Sequence, residues 1–193
     1  MTEVIPNVIW TPPAQGQWTY DDYQHLPNDG KRYEIINGVL FVANAPNLDH
    51  QFVVMEIAAE LRNYAKAAGL GRVYVAPCEV HLSERSKPVQ PDIFFVRQDR
   101  LPERRAPFFD GTPDLIVEVI SPSSIRLDRV TKFTEYEQTG VTEYWIVDPV
   151  ARIVEVYTLA RGEYALLGTF QHQDMIQSQI LPGIEITINT IFT

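Results

Sequence analysis

Leu115-Ile116-Val117-Glu118-Val119-Ile120 is a β-branched apolar run with one carboxylate inside it, and Asp92 opens a second run, Ile93-Phe94-Phe95-Val96, directly after Pro91. Apolar runs of about four to eight residues bounded by turn signals read as buried strands. A buried, unpaired carboxylate costs several kcal/mol, so Asp92 and Glu118 must be paired, protonated or bound to a cation. The chain is therefore held to a sheet-centred fold that accommodates charge in its interior. Lys132 follows on the next predicted helix. Two carboxylates and one ammonium suggest a site for a hard cation and a phosphate.

The rest of the pattern supplies the frame. Thr19 is placed to cap a short helix that runs to Leu26. Tyr33–Ile36 and Val39–Val42 flank Asn37-Gly38, the favoured pair for a type I′ hairpin turn. A long helix is expected from Asn47 to Ala68, with Val54, Ile57, Leu61, Tyr64 and Ala65 at helical spacing and Gly69 as its stop. Strands are expected over Val73–Leu82, Ile93–Val96 and Leu115–Ile120. The Ser121-Pro122-Ser123-Ser124 turn leads into a helix ending near Thr139, before Gly140. Further strands are expected over Glu143–Val147, Ile153–Leu159, Tyr164–Phe170 and Gly183–Phe192. This is a mixed α/β sheet core flanked by two main helices, with extra C-terminal strands.

At 193 residues the chain is expected to form one domain, residues 1–193. No apolar run approaches the roughly 18 residues a membrane span requires, and a lone Cys78 leaves no internal disulfide framework. A cytoplasmic protein with no membrane partner is the expectation. The net charge of −9 argues against a general nucleic-acid coat protein, which should be basic. Between Arg85 and Lys132, however, the balance is +2, so positive charge is expected to gather modestly around the site.

Phosphodiester hydrolysis needs a divalent ion against the scissile phosphate and a cation for the charge that develops on its oxygens. Mg²⁺ takes one or two carboxylates, keeps waters and borrows substrate oxygens. Asp92 and Glu118 offer the carboxylates, the Val119 carbonyl a third oxygen, and Lys132 the cation. Lys132 and Tyr136 stand seven and eleven residues after Ile125, so an α-helix puts all three on one face, aimed inward if Ile125 and Phe133 bury it. The competing reading makes Asp92 a strand-entry residue and Glu118 the partner of a buried arginine. Asp114 repeats the Pro-Asp pair but sits at the entry end of its strand.

Pro91-Asp92 followed by Glu118-Val119-Ile120 resembles the PD-(D/E)xK signature of restriction-endonuclease-like nucleases. More narrowly, the chain is similar to the Uma-two-type bacterial endonuclease family. The likeness runs through Tyr33-Glu34-Ile35-Ile36-Asn37-Gly38, His50, Gln90-Pro91-Asp92 and Asp114 to Ser123. It continues through Asp128, Lys132, Tyr136 and Glu143 to Pro149. The resemblance implies a restriction-endonuclease-like fold and a Mg²⁺-dependent endonuclease, with Mn²⁺ as a substitute ion, acting on DNA as a homodimer. One position departs: the superfamily lysine falls at Ile120, and the resemblance implies that Lys132 replaces it from the following helix.

Glu34, His50, Gln90, Asp128 and Tyr136 are the supporting candidates. Glu34 is a supporting carboxylate or an exposed hairpin residue. His50 faces the helix core as a satisfied histidine, or else meets substrate or water. Asp128 and Lys132 form an i, i+4 pair that orients the lysine. Cys78 and His81 point to opposite faces of a strand and exclude zinc there. Two other functions remain open: a non-catalytic nucleic-acid-binding or assembly module that retains the fold, and a small-phosphoester hydrolase that suits the acidic surface.

Overall fold

Thr19 accepts a hydrogen bond from the Asp22 amide at 3.3 Å, and Asp22 accepts one from the Thr19 amide at 3.0 Å. This capping box starts the single helical turn α1 (Tyr20–Tyr23). The computed structural model describes residues 10–43 and 45–192. The expected hairpin follows as β1 (Arg32–Ile36) and β2 (Val39–Ala43). Asn37 and Gly38 have φ of 50° and 73°, the left-handed values that a type I′ turn requires. The Asn47 side chain caps α2 (Leu48–Ala67) by accepting from the His50 amide at 2.8 Å.

The chain continues through β3 (Gly71–Val75), β4 (Val80–His81), β5 (Ile93–Arg97), β6 (Phe109–Asp110) and β7 (Leu115–Val119). A π-helical segment (Leu127–Lys132) then runs into α3 (Phe133–Thr139), followed by β8 (Glu143–Asp148), β9 (Ile153–Ala160), β10 (Glu163–Gln171) and α4 (Ile188–Ile191). Six strands form one sheet in the order β10-β9-β8-β7-β5-β3. Only β7 and β8 pair in parallel; the other neighbours in the sheet are antiparallel. The short β4 and β6 pair with each other outside it.

The alternation of side chains along each strand splits the core into two layers. Ile93, Phe95, Val117 and Trp145 pack against Val53, Ile57, Leu61 and Ala65 of α2. Phe94, Ile116 and Tyr144 face the other way, towards Ile36 of the hairpin and Tyr136 of α3. No helix among the described residues is long and apolar enough to cross a membrane.

Two expected strands differ. The Val73–Leu82 strand divides into β3 and β4, because Pro77 has no N–H for the ladder and the Ala76 amide turns to the Asp92 carbonyl at 3.0 Å. Gly183–Phe192 is not a strand: it makes one isolated bridge, Met175 with Thr187, and then coils into α4. Its alternating Ile184, Ile186 and Ile188 are buried against the α2 layer, so the alternation reported burial rather than pairing.

Candidate active site

In the β5–β7 ladder Ile93 stands opposite Val117. One further step of that antiparallel register sets Asp92 across from Glu118. Strand alternation puts both on the sheet face that carries Phe94 and Ile116, towards the hairpin and α3. Together with Arg32, His50, Val119 and Asp128 they line a cavity of about 410 Å³.

Asp92 is held through both oxygens. Its Oδ1 accepts from Arg32 Nη1 at 2.9 Å, and its Oδ2 accepts from the Val119 amide at 3.0 Å, with His50 Nε2 at 3.2 Å. Burial acts to raise its pKa, but His50, Arg32 and Lys132 prevail and hold it well below the usual carboxylate range. Glu118 has the opposite balance. Its Oε1 accepts from Lys132 Nζ at 2.9 Å and from the Tyr136 hydroxyl at 2.7 Å. Burial nevertheless pushes it up to about 8, against the pull of Lys132 and with Asp92, Asp128 and Glu34 adding to the push. Burial raises Asp128 as well, opposed by Lys132.

Lys132 lies behind the cavity wall. Its side chain is 1% exposed, with Nζ 3.1 Å from Glu34 Oε1 and 3.8 Å from Asp128 Oδ1. Burial alone would lower its pKa; Glu118, Glu34 and Asp128 raise it instead, so the ammonium keeps its proton. Lys132 and Tyr136 face inward as the spacing implied, but Ile125 does not share their face. Ile125 is 44% exposed while Asp128, Lys132 and Tyr136 are buried. The π-helical turn widens the helix and offsets the face of the residues that follow it, which α-helical counting from Ile125 does not allow for.

Glu34 is buried in the hairpin rather than exposed, and its Oε1 also accepts from the Gln90 amide at 2.7 Å. The Gln90 side chain donates to the Tyr33 carbonyl at 3.3 Å, so Gln90 ties β1 to the approach to β5. Tyr144 and Trp145 are fully buried, and His81 turns to Glu79 and stacks on Phe108. Asp114 stands at the other end of β7, paired with Arg100 at 2.8 Å and Arg97 at 3.6 Å.

That last pairing corrects the expected distribution of charge. Arg97 ends β5 and Arg100 lies just beyond it, about 17 Å or more along the strand from Asp92. The basic loop that follows is thus carried away from the cavity. Lys132 reaches the site from the stretch 85–132, and a second basic residue that does so, Arg32, lies outside it and was passed over by sequence reasoning. The available signal was its spacing: two residues before Glu34, it shares a face of β1.

No three His, Cys, Asp or Glu residues among those described form a ready-made metal cage. The donor chemistry nevertheless fits a hard divalent ion. Four carboxylates (Glu34, Asp92, Glu118, Asp128) meet two permanent cations (Arg32, Lys132), and Glu34 Oε2 is buried without a hydrogen-bond partner. Mg²⁺ needs only one or two of those carboxylates, with waters completing its shell.

The family model for Uma2, described as "Putative restriction endonuclease", matches residues 20–189. Among solved structures, the chain is similar to a "putative nuclease belonging to DUF820" from Anabaena variabilis ATCC 29413. The two superpose with a TM-score of 0.74 at 19% identity, over 90% of this chain and 97% of the other. No curated protein matches the chain.

Proposed function

Because the chain belongs to the Uma2 family, we propose that it is a metal-dependent endonuclease that hydrolyses phosphodiester bonds of DNA. The observation that carries this reading is the pair Asp92 and Glu118, on one face of neighbouring strands at one cavity, with Lys132 2.9 Å from Glu118. Asp92 and Glu118, with the Val119 carbonyl, would hold Mg²⁺ or Mn²⁺. The bound ion would activate a water and polarise a phosphate oxygen.

The chain's own residues do the rest. The Val119 amide and His50 fix the rotamer of Asp92. Lys132 and Tyr136 fix Glu118, so Lys132 acts by positioning that carboxylate and the water beside it. Glu34 and Asp128 hold Lys132, and Gln90 holds Glu34. Cutting both strands of a duplex recruits two-fold symmetry, so the working form is a homodimer of single-domain chains in the cytoplasm.

The test is cleavage of supercoiled plasmid by purified protein with Mg²⁺, with Mn²⁺ and with chelator, beside Asp92→Ala. Metal-dependent nicking by wild type alone supports the reading. Equal cleavage by Asp92→Ala sinks it. Activity on a small phosphoester that is indifferent to salt would favour the hydrolase instead, since duplex binding weakens steeply as salt rises.

A further inference from the structure

We propose that Arg32, rather than Lys132, is the cation this site presents to the substrate phosphate. The inference rests on the nuclease reading above. Lys132 is committed: its ammonium sits among Glu34, Glu118 and Asp128 with 1% of the side chain exposed. An ammonium has three donors, and a phosphate could reach it only by breaking that enclosure.

Arg32 is differently placed. It rises from the start of β1 into the wall of the cavity shared by Asp92 and Glu118, with 27% of its side chain exposed. It also lines an adjoining cavity of about 370 Å³ beside Gln90 and Pro46. Its Nη1 is engaged with Asp92 Oδ1 at 2.9 Å, but its Nε is buried with no hydrogen-bond partner. Glu34 Oε2, equally without one, lies 3.9 Å from that Nε, too far to satisfy either atom. A guanidinium partly exposed at the edge of a cavity, with its buried Nε left unmet behind it, is loosely held, and its planar fork suits phosphate oxygens.

The attachment of Asp92 makes Arg32 releasable. Arg32 holds only Oδ1, while the Val119 amide and His50 hold Oδ2. Asp92 therefore keeps its orientation when Arg32 lets go. Arg32 and a divalent ion are then alternatives on Oδ1. Arrival of the ion frees the guanidinium for the phosphate, where it stabilises charge developing on the non-bridging oxygens.

The alternative, that Arg32 merely positions Asp92, predicts the opposite sign in a metal titration. Calorimetric titration of Mn²⁺ into DNA-free Arg32→Met should show binding several-fold tighter than wild type, while Asp92→Ala binds poorly. In steady-state cleavage Arg32→Met should lose about a hundred-fold or more in kcat. Arg32→Lys, which keeps the charge, serves if the methionine variant does not fold, and should retain near-wild-type Mn²⁺ affinity with reduced kcat. Weaker Mn²⁺ binding by Arg32→Met, or wild-type kcat in Arg32→Lys, overturns the proposal. Wild-type protein that cuts no DNA overturns the nuclease reading instead, and the Mn²⁺ titration still decides whether Arg32 competes for Asp92.

Discussion

Lys132 Nζ and Glu118 Oε1 lie 2.9 Å apart, and each side chain is 1% exposed. A surface helix pair would contribute under about 1 kcal/mol, but an enclosed ion pair follows another rule. Removing one partner leaves the other as an uncompensated buried charge, at a cost of about 3–5 kcal/mol. Lys132→Met should therefore lose stability on that scale in urea denaturation without metal. Measured at about pH 9, above the titration of Glu118, adding Glu118→Gln should restore part of it, because the double variant no longer has to strand or neutralise the Glu118 carboxylate. Additive losses would show that the two residues do not depend on one another.

Lys132→Ala should also lower turnover about a hundred- to a thousand-fold, the scale for one preorganised stabilising group. Its effect passes through Glu118, so kcat should fall with little change in KM for DNA. Lys132→Arg should recover only part, since a planar fork does not fit the space of an ammonium among three carboxylates. A Lys132→Ala enzyme that cuts at the wild-type rate would remove this residue from the mechanism.

Mg²⁺ should raise the melting temperature by mass action on the native state. At a hundred times Kd the gain is about 2.7 kcal/mol, or roughly 5–10 °C for a chain of this size. Asp92→Ala should show no comparable rise. If both proteins respond alike in a thermal-shift titration, the ion binds somewhere else.

The sheet core and both main helices were legible because each rests on a strong local signal. Asp92 and Glu118 stood out as carboxylates interrupting apolar runs, and strand alternation brought them to one face. Arg32 was passed over because beside Lys31 at a strand end it looks like a solvent residue, although its spacing puts it on the Glu34 face of β1. Its partial burial arises only when β1 docks against the segment that leads into β5, where the Ile35 amide meets the Pro88 carbonyl at 2.9 Å. Lys132 and Tyr136 do face inward, but Ile125 was wrongly placed beside them, since a π-turn leaves no composition signal. The basic loop was near the site in sequence, but the length of β5 separates them.

Glu143 anchors the C-terminal segment and offers a test apart from the chemistry. This fully buried carboxylate accepts from Trp145 Nε1 at 2.8 Å, Ser178 Oγ at 2.7 Å, and the Gln179 and Ile180 amides at 2.7 and 3.2 Å. Glu143→Ala leaves those donors without their acceptor and should cost about 2–4 kcal/mol. Hydrogen exchange should report the loosening first in the amides of residues 179 and 180. Unchanged protection there would mean that the apolar packing of Ile180, Leu181 and Ile184 holds the segment without Glu143.

Glu79 gives stability a pH dependence away from the metal candidates. The Tyr23 and Tyr20 hydroxyls donate to it at 3.0 and 3.1 Å, and His81 Nε2 lies 3.4 Å away. His81 is the largest influence and, with both tyrosines, outweighs partial burial, so the pKa lies below its ordinary 4.5. The folded protein thus releases this proton more readily than the unfolded chain. The stabilisation is present in full above the ordinary carboxylate range and is lost as pH falls through the folded pKa. Glu79→Gln should be less stable than wild type near neutral pH, by about 1 kcal/mol given the partial exposure of the group. The gap should close as urea melts are taken down through the folded pKa of Glu79, below which wild type carries the proton too. A gap that stayed constant over that range would assign the loss to packing rather than to the charge on Glu79.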